Sequence, residues 1–302
     1  MPEIDKEILT LKREKDAVIL AHYYVEDEVQ ALADFVGDSY YLSKVANTCP
    51  QKTIVFCGVK FMGESAKIMN PEKTVLMPDA VADCPMAHMA EPARIQKVRE
   101  QYPEAAVVCY INSTAEVKAV SDVCVTSSNA VKIVAALSNK QIYFVPDENL
   151  GRFVAKQLPE KEFIFHPGYC PIHAALCKED MEQAKAKHPN APVLAHPECR
   201  EEVLQRADYV GSTSGIIEFA TKSENSEFII CTELGVLYEL KQKNPSKRFF
   251  VAKENQICAD MKRITPEKIK QCLTEMAPQV EMEPELCRGA LCALKKMHEM
   301  AR

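Results

Sequence analysis

Three short segments of this chain repeat one another: "ADFVGDS" from Ala33, "SDVCVTS" from Ser121 and "ADYVGST" from Ala207, at offsets of 88 and 86 residues. Ahead of each lies an apolar run ending in a polar cluster, "VILAHYY", "VVCYIN" and "VLAHPE". His22, Tyr110 and His196 take equivalent places in these runs, as do Tyr24, Asn112 and Glu198. At the segment ends, Ser39, Ser127 and Thr213 form a third equivalent set. A repeat of this length makes each unit one supersecondary assembly packed against the others.

The second half of each unit repeats as well. "TIVFCGVKFMGESAKIMNPEKTVLMPD" parallels "QIYFVPDENLGRFVAKQLPEKEFIFHPG" and "EFIICTELGVLYELKQKNPSKRFFVAKEN". Each reads as a strand, an amphipathic helix, a Pro-containing turn and another strand. The whole unit is then strand, helix, short strand, helix, strand, helix, strand. One cysteine follows each last strand: Cys84, Cys170 and Cys258, separated by 86 and 88 residues. Such alternation predicts an α/β fold, each module a parallel sheet covered by helices on both faces. Three modules, 1–86, 87–172 and 173–262, suggest a pseudo-threefold arrangement. Residues 263–302 read as terminal helices expected to pack back on the first module.

Composition narrows the function classes. The chain has 302 residues, 47% of them hydrophobic, and a formal net charge of −6. That balance gives no electrostatic reason to expect nucleic acid or an anionic membrane as partner. "MPEIDKEILTLKREKD" lacks the apolar core of a signal peptide. No segment approaches the roughly 20 apolar residues of a membrane span. The expected location is the cytoplasm. There the thirteen cysteines read as buried thiols, metal ligands or catalytic groups rather than disulfides. Asn112-Ser113-Thr114 fits a glycosylation pattern that carries little weight without a secretory signal. "GVKFMGES" lacks the Lys-Ser/Thr ending of a phosphate loop, and no CxxxCxxC triplet occurs.

Ligands of parallel α/β modules bind beyond the carboxyl ends of the strands. The polar clusters and the three cysteines all follow strands, so modules facing a common axis bring them together. Three thiolates there suit zinc with one open position or an iron–sulfur cluster with one iron unligated by protein. Sulfur-only ligation admits both. The cluster is favoured, since catalytic zinc sites more often include histidine.

Each remaining candidate has a plain structural role to set beside a functional one. Ser39, Ser127 and Thr213 sit where a short strand turns into a helix, the place of an N-cap and equally of an anion. Ser128 and Ser212 are their neighbours. His22 and His196 are repeat equivalents, and His173 lies three residues past Cys170. Glu198 suits a general base or metal ligand, or else a cap of "PECREEVLQRA". Cys57, Cys109, Cys124 and Cys231 read as small buried apolar residues. Cys199 has no repeat counterpart, and Cys287 and Cys292 are structural.

The ordered set "AHYY", "ADFVGDS", "PDAVADCPMA", "VCYINST", "HPGYCPIH", "LAHPEC", "GSTSGI" and "ICADM", running from Ala21 to Met261, resembles the quinolinate synthase family. The resemblance implies a three-domain, pseudo-threefold fold around a [4Fe-4S] cluster held by Cys84, Cys170 and Cys258. It implies condensation of iminoaspartate with dihydroxyacetone phosphate to quinolinate, a precursor of NAD, with loss of phosphate and two waters. The unligated iron would act as Lewis acid. The implied metabolic partner is an L-aspartate oxidase or dehydrogenase that supplies iminoaspartate. Matched to the family's motifs, Tyr24, Tyr110, His196 and Glu198 are the catalytic candidates. His22, Ser39, Asn112, Ser127, His173, Ser212 and Thr213 join Tyr110, His196 and Glu198 in binding substrate. "NQICADM" holds only Cys258, so the redox-sensitive cysteine pair of some family members is not expected there. The competing readings are a zinc lyase or aldolase on the same thiolates, and a non-catalytic metabolite or metal sensor.

Overall fold

A computed structural model of the protein describes residues 2–301. Each repeat forms one four-stranded sheet. The first holds β1 (Ala17–His22), β2 (Phe35–Gly37), β3 (Thr53–Cys57) and β4 (Thr74–Leu76) in the order β2-β1-β3-β4. The second holds β5 (Ala106–Tyr110), β6 (Val123–Val125), β7 (Gln141–Val145) and β8 (Glu162–Phe165), ordered β6-β5-β7-β8. The third holds β9 (Val193–Ala195), β10 (Tyr209–Val210), β11 (Glu227–Cys231) and β12 (Arg248–Val251), ordered β10-β9-β11-β12. Every strand pair is parallel. Strand β1, "AVILAH", is buried along its whole length, as expected of a strand covered on both faces.

The repeat extends to single hydrogen bonds. Asp34, Asp122 and Asp208 each accept the backbone N–H of the neighbouring first strand, from Ile19, Val107 and Val193, at 2.8, 2.7 and 2.8 Å. Lys73, Lys161 and Lys247 each donate to carbonyls at the C-terminus of the helix that follows the module's second strand, among them those of Ala46, Leu137 and Ala220. A cation there satisfies carbonyls that the helix leaves open. The cysteine loops are pinned alike: the N–H groups of Lys60, Glu148 and Leu234 donate to the carbonyls of Ala82, Gly168 and Gln256.

Two features were not in the expected unit. A helix precedes each first strand: Glu3–Glu14, Pro92–Gln101 and Lys178–Lys187. The C-terminal helices also divide their packing. Helix Pro266–Glu275 lies on Glu3–Glu14 of the first module, whereas Pro284–Met300 packs mainly on helix Ala115–Ala119 and β6 of the second. One apolar core runs through the first two sheets and both C-terminal helices, while the third sheet carries a separate cluster on each face.

Candidate active site and metal centre

The carboxyl ends of the three sheets open into one cavity with about 700 Å³ of atom-free space. His22 and Tyr110 end β1 and β5, and His196 follows β9 by one residue. Cys84, Cys170 and Cys258 line the same cavity, each from its own module. Cys84 and Cys170 each precede a proline that opens a short helical turn, Pro85–His88 and Pro171–Ala174. Proline suits that first position, where an N–H would lack a partner. Of the fourteen residues matched to the family's site, thirteen line the cavity and Ser212 does not; Ser128, the other neighbour named in the sequence, does not either. Ser212 instead caps helix Thr213–Lys222, its Oγ accepting from Gly215 N at 3.1 Å.

Of the two roles open to the three repeat hydroxyls, the cap falls to other residues. The N-cap positions fall on Asp38, Asn129 and Ser212, which leaves Ser39, Ser127 and Thr213 turned to the cavity. Glu198 is not a cap either, since Arg200 precedes helix Glu201–Leu204.

A chain of hydrogen bonds crosses the cavity. Thr213 Oγ1 and Thr232 Oγ1 each lie 2.8 Å from Tyr24 OH. Thr232 Oγ1 is also 2.9 Å from His173 Nε2. His173 Nδ1 lies 2.7 Å from Glu198 Oε2, and Tyr110 OH donates to Glu198 Oε1 at 2.5 Å. With a single ring proton held at Nδ1 by Glu198, His173 accepts from Thr232 at Nε2. Thr232 then accepts from Tyr24, and Tyr24 from Thr213, so every group in the chain is satisfied. The tautomers of the other histidines follow from their neighbours. Tyr24 N donates to His22 Nδ1 at 3.2 Å and Glu198 N to His196 Nδ1 at 3.4 Å. Both rings therefore carry their proton on Nε2, and that of His196 points to Ser127 Oγ at 3.2 Å. Asn112 Oδ1 is buried with no hydrogen-bond partner, an acceptor left for a bound donor.

Burial drives the electrostatics. It lowers the pKa of His22 and of His196 to about 3, although Glu198 opposes the shift in both. Both rings are neutral at pH 7. Burial, with Glu198 nearby, raises Tyr24 and Tyr110 well above the usual phenol range. It works against the Glu198 carboxylate too, but His196, His173 and the hydrogen bonds from His173 and Tyr110 hold that group below its usual range. Burial likewise pushes the Cys84 thiol up to about 12 and Cys258 to about 11, and Cys170 well above its usual value. Without metal the three thiols are protonated, and binding a metal releases those protons. Among the described residues no Lys or Arg lines the cavity, whereas Asp38, Asp83, Glu198 and Glu233 do, so anionic ligands are held there by hydroxyls, neutral imidazoles and helix N-termini set among acidic groups.

The donor set suits a metal centre. The sulfurs of Cys84, Cys170 and Cys258 do not all lie within 4.8 Å of one another. Thiolates on one tetrahedral zinc, with bonds of about 2.3 Å, stand about 3.8 Å apart. A multi-iron cluster places each thiolate on a different iron and needs the wider spacing. The one compact group of possible ligands among the described residues is Cys170, His173 and Glu198.

Four residues at the site escaped the sequence reading. Thr232, fully buried, joins Tyr24 to His173. Its repeat counterpart is Pro146, so periodicity carried no signal for it. Asp147 and Glu233, buried beside the cysteine loops, are repeat equivalents 86 residues apart, and that match of two acids was a readable signal. Gly235, two residues on, lets the third module approach the first: a Cβ there would come within 2.5 Å of Tyr23 O and 2.7 Å of Tyr24 Cα. Tyr24 is thereby held at the intermodule seam.

Comparison with known proteins agrees with this architecture along the chain. The family described as Quinolinate synthetase A protein (NadA) matches residues 6–299. The chain is similar to the quinolinate synthase of Clostridioides difficile, with 52% identity over 299 residues covering 99% of this chain and 98% of the relative. It is 54% identical to that of Caldicellulosiruptor bescii over 297 residues, 98% of each chain. The Fusobacterium nucleatum quinolinate synthase is 52% identical over 294 residues, 97% of this chain and 98% of the relative. Three parallel α/β modules meeting at a cavity lined by cysteine, together with similarity over nearly the whole length, place this chain in the quinolinate synthase family.

Proposed function

We propose that the protein condenses iminoaspartate with dihydroxyacetone phosphate to form quinolinate, with loss of phosphate and two waters. The observation that carries this reading is the convergence of three cysteines, one per module, with Tyr24, Tyr110, His196 and Glu198 on one cavity. Cys84, Cys170 and Cys258 would hold a [4Fe-4S] cluster; when bound, it supplies a Lewis-acidic iron without a protein ligand. The chain's own residues do the rest. Ser39, Ser127 and Thr213, at three helix starts, bind the substrates' carboxylates and phosphate. Asn112 Oδ1 accepts from a substrate N–H or O–H, and the Nε2–H of His22 donates. Glu198, ionised and adjacent to Tyr110, takes a proton from the substrate, and Tyr110 or His196 delivers one to a leaving oxygen. Thr213, Tyr24, Thr232 and His173 form a path along which that proton can be redistributed. An L-aspartate oxidase or dehydrogenase would supply the unstable imine. Among the described residues no helix is long and apolar enough to cross a membrane.

The compact trio of Cys170, His173 and Glu198 favours one second reading, a mononuclear zinc enzyme. One preparation separates the two. Protein purified without oxygen should be brown, carry iron and sulfide, and form quinolinate from the two substrates. A colourless, zinc-containing and active protein would overturn the cluster reading.

A further inference from the structure

We infer that Asp147 and Glu233 are positioning residues of the metal centre, each bracing the backbone of a cysteine that holds it. This deepens the proposed function and rests on its reading that Cys170 and Cys258 are cluster ligands. Asp147 follows β7 and Glu233 follows β11; they lie 86 residues apart, the offset that also relates Gln141 to Glu227. Both are buried, 0% and 1% exposed.

Each carboxylate divides its two oxygens between a nearby amide and a cysteine amide, and Glu233 Oε1 also pairs with Lys262 Nζ at 3.4 Å. Asp147 Oδ1 accepts from Leu150 N at 2.7 Å, capping helix Glu148–Gln157, while Oδ2 accepts from Cys170 N at 3.1 Å. Glu233 Oε2 accepts from Gly235 N at 2.6 Å, while Oε1 accepts from Cys258 N at 3.1 Å. The loop just past a central strand is thus tied to a cysteine 23 or 25 residues further on. The first module lacks the remote brace: Val59 stands at the equivalent position. There Asp83, from the cysteine's own loop, accepts from Cys84 N at 2.7 Å. Every cysteine of the set therefore has its amide on a carboxylate, and two of the three carboxylates come from the residues just past a central strand. Fixing the amide fixes the direction of the thiol, the outer-shell role that keeps metal ligands oriented.

The isosteric amides separate this role from a merely structural one. In Asp147→Asn the carbonyl oxygen can still cap the helix at Leu150, but the NH₂ group then meets the Cys170 N–H, donor against donor. Glu233→Gln does the same at Cys258. Loss of an outer-shell partner typically lowers metal affinity about 10–100-fold. In anaerobically reconstituted holoprotein, iron should therefore pass to a ferrous chelator about 10–100-fold faster from either variant than from wild type. The melting temperatures of the iron-free chains should stay close together. Asp147→Ser, whose hydroxyl keeps the cap and offers nothing to Cys170, should behave like Asp147→Asn and serves where the amide fails to fold. Unchanged iron release from wild-type-like brown variants would overturn the brace alone. Faster release that merely tracks a lowered melting temperature would also overturn it. A wild-type chain that takes up no iron would overturn the cluster reading and the brace together.

Discussion

The phenol of Tyr110 donates to Oε1 of Glu198 at 2.5 Å, across the seam between the second and third modules. The other carboxylate oxygen lies 2.7 Å from His173 Nδ1. Glu198, 3% exposed, is thus an acceptor for two donors that the repeat alone did not pair with it.

That arrangement makes Glu198→Gln informative. The amide keeps the size but cannot accept a proton, and its NH₂ group opposes one of the two donors. Turnover should fall on the order of 10²–10⁴-fold, typical of losing a general base, while iron content stays at the wild-type level. Wild-type turnover in this variant would remove the base assignment.

The cysteines divide into two classes with opposite expectations. Cys84→Ser, Cys170→Ser and Cys258→Ser should each lose the bound cluster and the activity, since each removes a thiol lining the cavity. Cys287→Ser and Cys292→Ser, on helix Pro284–Met300, should retain both. Iron and sulfide analysis with a visible spectrum reads the outcome; a brown, active Cys170→Ser protein contradicts the assignment.

Ser39, Ser127 and Thr213 face the cavity while other residues cap their helices. Alanine at each should weaken a dicarboxylate product analogue by about 1.5–3 kcal/mol, the scale of a hydrogen bond to a charged group. Melting temperatures should hardly move. Ser212→Ala is the converse case, because its Oγ caps a helix: it should cost about 1 kcal/mol of stability. Calorimetric titration beside thermal melting checks both, and unchanged affinity with a lowered melting temperature would return the first three to structural duty.

Acid should weaken the attachment of the C-terminal segment. Asp79 accepts from Lys268 Nζ at 2.6 Å and from Val81 N at 2.8 Å, with Arg263 Nε 3.3 Å away. Burial alone would raise its pKa, but these partners prevail and lower it. A lowered folded value means stability that is present above the unfolded value of about 3.9 and lost as pH falls through the folded one. Wild type should therefore melt above Asp79→Asn at neutral pH, and the gap should close in acid. A gap independent of pH would show that the carboxylate charge contributes nothing.

Much of this protein was legible before any fold was known. A repeat is a property of the chain itself, so the three modules, the strand-and-helix order and the three isolated cysteines could be read from periodicity. Parallel topology followed because alternating strands and helices close only one way. Tertiary structure decided what depends on contacts between residues far apart in the chain. Tyr24 reaches Thr232 and Thr213 across module boundaries, and no local pattern announces such a meeting. The sequence left a cap and an anion site both open for Ser39, Ser127 and Thr213; the structure puts the caps on Asp38, Asn129 and Ser212, because a cap is set by backbone geometry that a segment repeat locates only approximately. The C-terminal helix Pro284–Met300 found its place on the second module, since an apolar helix face goes wherever matching surface remains open and carries no address of its own.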